Sequence, residues 1–289
     1  MVIRKVYRVP LPDGRALQLG ERTLVMGILN ITPDSFADGG VHYDVDRAVE
    51  AGVRMAAEGA DILDVGGEST RPGAEPVGEA EERRRVLPVI ERLAGKTAAL
   101  LSIDTYKAAV AREALARGAS IINDISGLQY DPALGGVAAE TGAALILMHT
   151  RGRSRAMYEL ADYADVAADV RAELAAAIDR ATASGVRREA IMLDPGFGFA
   201  KRPEHSFELL ARLPALAQLD RPILSGPSRK SFLKAALGER PPSQREWGTA
   251  AAVAASVFLG AHIVRVHDVR SMIDVVRVAD RLRVHSSNS

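Results

Sequence analysis

Several side chains able to do chemistry stand at the same kind of place in this chain, just after a short apolar run. Asp104, Asn123 and Asp194 are two carboxylates and an amide in such positions. Arg71, Lys230 and Arg265 are cations, and His267 lies two residues beyond the last of them. Thr70 and Pro72 flank Arg71, while Ser228 and Ser231 bracket Arg229 and Lys230. Asn30 ends the first run, and Phe36 and Asp38 follow it in a long loop. A carboxylate in apolar surroundings needs donors. A flat heterocycle with an amino group beside a ring N–H offers two parallel donors to one carboxylate, and Asn can both give and accept. That suits a pterin or purine edge. The cations suit an anion, and Ser228–Ser231 reads as a loop opening a helix whose backbone N–H groups would face it. The residues therefore pair a donor-rich heterocycle with an anionic group.

Other chemistries find little support. The chain has no Cys, which excludes disulfides, thiolate metal sites and a Cys nucleophile. Ser231 and His267 could be paired on paper, but no oriented triad is evident. No His-x-x-x-His spacing occurs, so a tightly held zinc is not expected. A magnesium ion held mainly by diphosphate oxygens, with Asn30 or Asp38 helping, is compatible. Lys plus Arg and Asp plus Glu both number 37, for a net charge of +0. A protein that grips a nucleic-acid backbone carries a basic excess, so no nucleic-acid partner is expected. The uncharged stretch Trp247–Val264 is Ala- and Gly-rich and broken by Thr249, Ser256 and Gly260, which reads as a packed helix entering a buried strand, not a membrane span. Met1–Pro10 shows no apolar leader, and a cytoplasmic location is the expectation.

The elements that must position these groups show in the apolar pattern. Runs of strand length occur at Leu24–Leu29, Ile62–Val65, Ala99–Ile103, Ser120–Asn123, Ala144–Met148, Ala190–Leu193, Pro222–Leu224 and Ile263–Val266. None alternates cleanly, as expected of strands buried on both faces of a parallel sheet. Stripes at helical spacing lie between them, such as Val45, Ala48, Val49, Gly52 and Val53, or Val166, Val170, Leu174 and Ile178. The stripe Val86, Val89, Ile90, Leu93 contains Pro88, which should kink or restart its helix. Eight strands alternating with eight helices predict an α/β fold, a (β/α)8 TIM barrel spanning 1–285, with a short N-terminal hairpin closing its floor and a polar tail at 286–289. A doubly wound sheet would show a Gly-rich phosphate turn after its first strand, and Asn30-Ile31-Thr32-Pro33 is no such turn. In a barrel, active groups sit at strand carboxyl ends, where all of these groups fall. The stretch Asn30–Tyr43, long for a βα connection, reads as a lid.

These residues closely resemble dihydropteroate synthase. The matching stretches are Met26–Gly40 (MGILNITPDSFADGG), Asp61–Gly73 (DILDVGGESTRPG), Ser102–Lys107 (SIDTYK), Ile122–Gly127 (INDISG), Leu147–His149 (LMH), Leu193–Lys201 (LDPGFGFAK), Ser228–Phe232 (SRKSF) and Ile263–Val269 (IVRVHDV). They run in family order over nearly the whole chain. The family joins a dihydropterin pyrophosphate to p-aminobenzoate in folate synthesis and is the target of sulfonamides. The resemblance implies that Asp104, Asn123, Asp194, Phe199 and Lys230 bind the pterin. It implies that Asn30, Arg265 and His267 hold pyrophosphate, with Mg2+ on Asn30 and Asp38. Thr70, Arg71, Pro72, Phe36 and Ser231 would shape the p-aminobenzoate pocket. Lys230, Asp38, Arg71 and Asn30 would carry the catalysis, in which pyrophosphate leaves first and the amine traps the pterin methylene cation. A homodimer is also implied. The chain departs from the pattern at Ala37, Thr150 and Arg153, which touches the lid and the fifth loop. Two alternatives stay open here: a pterin-dependent methyltransferase on the same barrel, and a pterin-binding paralogue without catalysis.

Overall fold

A computed structural model describes residues 4–32, 40–69, 75–153 and 158–286, and within these the side chains of 40–44 and of Ser286 are not described. Among the described residues a two-stranded hairpin, β1 (Tyr7–Pro10) and β2 (Ala16–Leu19), precedes the barrel. The barrel strands are β3 (Leu24–Asn30), β4 (Ile62–Gly66), β5 (Leu100–Asp104), β6 (Ile121–Asp124), β7 (Ala144–Met148), β8 (Ile191–Asp194), β9 (Leu224–Ser225) and β10 (Ile263–Val266). They form one parallel sheet in the order β8-β7-β6-β5-β4-β3-β10-β9. A single parallel bridge from Leu193 to Ile223 joins the two ends of that order. The barrel predicted from the apolar runs is thus present. Its seventh strand is shorter than Pro222–Leu224 implied, because Pro222 has no N–H to offer the ladder.

The outer ring comprises α1 (Gly40–Ala57), α2 (Glu79–Ala94), α3 (Ala108–Ala116), α4 (Ala133–Thr141), α5 (Val166–Ala183), α6 (Pro203–Ala211), the single turn α7 (Lys234–Leu237), α8 (Glu246–Phe258) and α9 (Val269–Ser286). Helix α2 runs unbroken through Pro88. The expected kink is outweighed by burial of Val86, Leu87, Val89, Ile90 and Leu93 along one side. The stretch Trp247–Val264 is α8 running to β10, and no described helix is long and apolar enough to cross a membrane. Helix α9 extends to Ser286, so the barrel's last helix reaches into the start of the polar tail.

A period of two, hidden in the continuous apolar runs, governs the barrel wall. Leu63 and Val65, Leu101 and Ile103, and Leu145 and Leu147 face the helices in one large cluster. Met26, Ile62, Ile121, Ile146, Met192 and Ile263 face inward in a second cluster, capped by Val9, Leu11, Leu17 and Leu19 of the hairpin. The hairpin therefore plugs the floor, as the sequence suggested. One step further along, five of the strands change character on the inward face, to Asp64, Ser102, Asn123, Asp194 and Arg265, while β3 and β7 continue with Ile28 and Met148. The barrel is apolar below and charged above.

Candidate active site at the carboxyl rim

Strand register builds the first row of the site. Asn30 pairs with Gly66, Gly66 with Asp104, and Asp104 with Asn123, across β3 to β6. Gly66 keeps this row open: a methyl group there would lie 3.4 Å from Asp104 Cβ and 3.5 Å from its Oδ2. Across the barrel, Arg265 of β10 reaches back over the interior. Its Nε donates to Asp64 Oδ2 at 2.6 Å and its Nη2 to Asp104 Oδ2 at 2.7 Å. Asn123 Nδ2 donates to the same Asp64 oxygen at 2.9 Å. An ionised carboxylate only accepts, so Asp64 fixes the Asn123 amide with its oxygen as the group it can turn to a ligand.

Asp64 was not singled out by the sequence reading. It lies inside the apolar run Ile62–Val65, where a carboxylate at an inward position was the available signal. It is fully buried, and its Oδ1 has no partner.

The far wall comes from β8 and β9. Asp194 Oδ1 accepts the Gly196 N–H at 2.7 Å. Its Oδ2 faces Gly226, where a methyl group would stand 3.8 Å away. Lys230 places its ammonium 3.9 Å from the centre of the Phe199 ring. The loop before Lys230 is held from α8: Arg229 N–H donates to Thr249 Oγ1 at 3.0 Å, Arg229 Nε to Glu246 at 2.9 Å, and Arg245 Nη1 to the Arg229 carbonyl at 2.8 Å. Arg229 adopts a left-handed φ of 56°, which those bonds stabilise. The loop opens into helical structure, as expected, but only a short stretch. It enters a 3-10 turn, Ser231–Leu233, and then the one-turn α7.

Three carboxylates (Asp64, Asp104 and Asp194) thus share the interior with Lys230 and Arg265. Burial pushes the Asp104 carboxyl up to about 7, against the pull of Arg265. Burial also raises Asp194, opposed by the Gly196 N–H and by Lys230. Burial brings the Lys230 ammonium down to about 8, with Asp194 opposing. For Arg265 burial works against the charge, and the adjacent Asp64 and Asp104 more than reverse it. Groups set near neutrality in a concave, charged chamber are what a proton-handling or polar-ligand site requires.

The paper pairing of Ser231 with His267 is not formed. Ser228 takes that place, its Oγ 2.9 Å from His267 Nδ1 and accepting the His267 N–H at 3.2 Å. Ser231 is exposed on the rim. Arg265, assigned to the pyrophosphate, lies with the heterocycle-side carboxylates, while His267 stands with Ser228. Asn30 is partly exposed at the end of β3. Phe36, Asp38, Thr70, Arg71 and Pro72 lie outside the described residues, as does the middle of the expected lid, 33–39.

The second loop is nonetheless tied at both ends. Glu68 accepts from Val77 N–H at 3.0 Å, from Tyr106 at 3.1 Å and from Lys107 Nζ at 2.6 Å. Lys107 also bonds the buried Glu82; burial works to lower its ammonium, and the two glutamates more than reverse this and raise it above the usual range. Met148, at the fifth strand end, packs with Phe199 and Ala200.

Comparison with known proteins places this geometry. Residues 26–267 match the family described as pterin binding enzyme. A dihydropteroate synthase of Synechocystis sp. is 47% identical over 274 residues, covering 94% of this chain and 95% of the relative. The solved dihydropteroate synthase of Xanthomonas albilineans with 4-aminobenzoic acid superimposes with a TM-score of 0.89 at 43% identity, over 96% of this chain and 99% of that one. The Yersinia pestis dihydropteroate synthase in a sulfonamide drug complex gives a TM-score of 0.88 at 42% identity, over 96% and 99%. The chain belongs to the pterin-binding enzymes and, within them, to the dihydropteroate synthase family.

Proposed function

We propose that this rim joins a hydroxymethyl-dihydropterin diphosphate to p-aminobenzoate, releasing pyrophosphate and dihydropteroate, with its residues dividing the work as follows. Asp194 accepts the paired amino and ring N–H groups of the pterin. Asn123, turned by Asp64, offers its amide oxygen, and Asp104 takes a further ring donor. Lys230, above Phe199, faces the pterin ring from the other side. Ser228, His267 and the unused N–H groups of Arg265 receive the diphosphate; Ser231 stands at the mouth, and it is assigned to the aminobenzoate, as are Thr70, Arg71, Pro72 and Phe36.

The C–O bond to pyrophosphate breaks first. The p-aminobenzoate nitrogen then forms the C–N bond, and its proton leaves to solvent. No covalent nucleophile is required, and the site's fixed charges supply the stabilisation. The observation that carries this reading is the Asp64–Arg265–Asp104–Asn123 network. It holds a set of acceptors and a cation together across the barrel interior, with Asp64 Oδ1 still unpaired.

No group of three or more His, Cys, Asp or Glu side chains suited to a metal occurs among the described residues. Asn30 offers a single amide oxygen at the rim, with Asp38 next in the same loop. That fits a magnesium ion held chiefly by the diphosphate and water. When bound, the ion would neutralise diphosphate oxygens and ease pyrophosphate departure.

The relatives in the Xanthomonas and Yersinia structures hold 4-aminobenzoic acid and a sulfonamide. We assign both to the same mouth here, so a sulfonamide should compete with p-aminobenzoate. A diphosphate ester crosses no membrane unaided, and we assign the reaction to the cytoplasm, where that ester would be made.

We also infer a homodimer through α8 and α9, which pack on each other and expose Trp247 (88%), Val278 and Leu282. Sedimentation should give twice the chain mass, and Trp247→Arg should shift it toward monomer. A monomer at all concentrations would remove this reading. For the activity, the purified chain is supplied with the pterin diphosphate, p-aminobenzoate and magnesium, and pyrophosphate and dihydropteroate are followed. No product above background would sink the assignment.

A further inference from the structure

The loop between β8 and α6 contains a buried cation that the reaction above does not use. Lys201 is 1% exposed. Its ammonium bonds the Phe199 carbonyl at 3.0 Å, the Gly196 carbonyl at 3.1 Å and His149 Nδ1 at 2.7 Å. An ammonium has three protons, and these partners use all of them. Two of the three are carbonyls of the loop itself.

Left-handed residues at Gly196 (φ 68°), Gly198 (φ 76°) and Ala200 (φ 48°) turn the loop backbone around the cation. Ala200 has no glycine freedom, so its conformation must be imposed by neighbours. One of these is Tyr163, whose hydroxyl donates to the Ala200 carbonyl at 2.9 Å. At Gly196 a methyl group would lie 2.0 Å from the His149 carbonyl, so the loop sits directly on the end of β7.

His149 completes the clamp. Its Nδ1 accepts from Lys201, so its own proton is on Nε2 and goes to Glu173 Oε2 at 2.9 Å. Burial, with Lys201 adjacent, lowers His149 to about 4 and keeps the ring neutral. Arg151 grips the same Glu173. The chain of bonds therefore runs from α5, through the fifth strand end, into the loop that carries Phe199.

Phe199 is buried against Met148 and lies under the Lys230 ammonium. A sideways shift of this loop would move the ring that seats Lys230.

We propose that Lys201 and His149 are positioning residues for the pterin end of the site, acting through the loop to set Phe199 beneath Lys230. This rests on the pterin reading above. Neither residue touches substrate in this proposal.

The test compares Lys201→Met, which keeps length but removes every donor, with two changes at His149. His149→Asn keeps an acceptor where Nδ1 stood, and His149→Leu keeps none. Lys201→Met and His149→Leu should raise the KM for the pterin diphosphate about tenfold while leaving the KM for p-aminobenzoate within about twofold. His149→Asn should stay within about threefold of wild type for both substrates. Hydrogen exchange should speed up at the amides of 196–201 and stay unchanged in the hairpin Tyr7–Leu19. Fluorescence binding of hydroxymethylpterin should weaken in parallel, a readout independent of turnover.

Folded Lys201→Met with wild-type pterin affinity would overturn the proposal. So would equal behaviour of Asn and Leu at 149, or equal loss toward both substrates. If Lys201→Met does not fold, the pair at His149 carries the same comparison. Absence of product from wild type would count against the reaction alone, because pterin binding and loop exchange still decide the positioning.

Discussion

The two ends of the barrel treat buried polar groups in opposite ways. At the floor, Arg4 donates to the Gly20 and Ala261 carbonyls, to Thr23 and to Asp280. His262 accepts from Ile223 N–H at 3.1 Å and donates to the Lys5 carbonyl at 3.0 Å, so both ring nitrogens are used. A groove of about 490 Å3 opens there beside Leu11, Leu17 and Arg22, but Arg22 is spent on Asp61 and Arg15 on Asp13. At the rim, Asp64 Oδ1 is unpaired, Asp194 has one bond to Gly196, and Lys230 rests on a ring face. A satisfied polar network stabilises the fold, whereas a partly satisfied one holds valence in reserve for a ligand. The lesson is that charge alone does not mark a site. Incompletely paired charges that converge on one chamber do.

The largest expected contrast sets Lys230→Ala against Arg4→Met. Lys230→Ala should lower kcat/KM about a thousandfold, as loss of a main electrostatic group does. Its thermal midpoint should move little, because a half-buried ammonium resting on a ring face is removed. Arg4→Met should leave kcat/KM within about twofold at low temperature yet cost about 3 kcal/mol of stability, since its bonds to the Gly20 and Ala261 carbonyls, Thr23 and Asp280 are lost together. Calorimetry and steady-state kinetics on the same preparations check both. Loss of stability in the first with normal rates, or loss of rate in the second, would erase the distinction between the ends.

Next comes Asp64→Asn. It loosens Arg265 and Asn123 together, and kcat/KM for the pterin substrate should fall about thirtyfold, near 2 kcal/mol. Wild-type kinetics in that variant would remove Asp64 from the site.

The pH profile sharpens the same point. Asp104 has a raised value near 7, so its carboxylate is present above that pH and is lost as pH falls through it. Lys230 has a lowered value near 8, so its ammonium is present below that pH and is lost as pH rises through it. The pterin kcat/KM should therefore peak between about 7 and 8. Lys230→Arg, charged at all accessible pH, should lift the alkaline limb whatever its absolute rate. An unchanged alkaline limb would detach it from Lys230.

Much of this was legible in the sequence because a barrel puts its chemistry where strands stop. Asp104, Asn123, Asp194 and Arg265 could be read as the polar residue at or near the end of an apolar run. Asp64 could not, since it is a carboxylate within a run, and only the inward period of two distinguishes it from Leu63 and Val65. The His149–Lys201 clamp was also hidden. Its partners are 52 residues apart and two of the three Lys201 bonds end on backbone carbonyls, which no residue type reports. The choice of Ser228 over Ser231 beside His267 depends on a left-handed turn at Arg229, a conformation that side-chain identity does not announce. Pro88 misled in the other direction, because a local preference yielded to a buried helix face. The middle of the lid, 33–39, and the Arg71 segment, 70–74, fall outside the described residues.

The smallest effect concerns two glycines of neighbouring strands. Gly27 of β3 faces the helices, and a methyl group there would stand 3.0 Å from Val269 Cγ2 and 3.2 Å from Met55 Sδ. Those neighbours are packed between β3, α1 and α9, so Gly27→Ala should cost about 1–2 kcal/mol of stability by overpacking, with little change in rate. Gly66 of β4 faces the chamber, and its added methyl meets Asp104 first, at 3.4 Å. That distance is ordinary contact, and Gly66 has no left-handed φ to lose. Gly66→Ala should therefore be near neutral for stability. It would, however, occupy the gap between Asn30 and Asp104 that the register leaves open, and press on a carboxylate held by Arg265. A rise of about threefold in the pterin KM, with the melting temperature unmoved, is the expected result, and it corresponds to less than 1 kcal/mol. If instead Gly66→Ala melts early and binds normally, the space beside Asp104 belongs to the packed wall of the barrel and not to its ligand chamber.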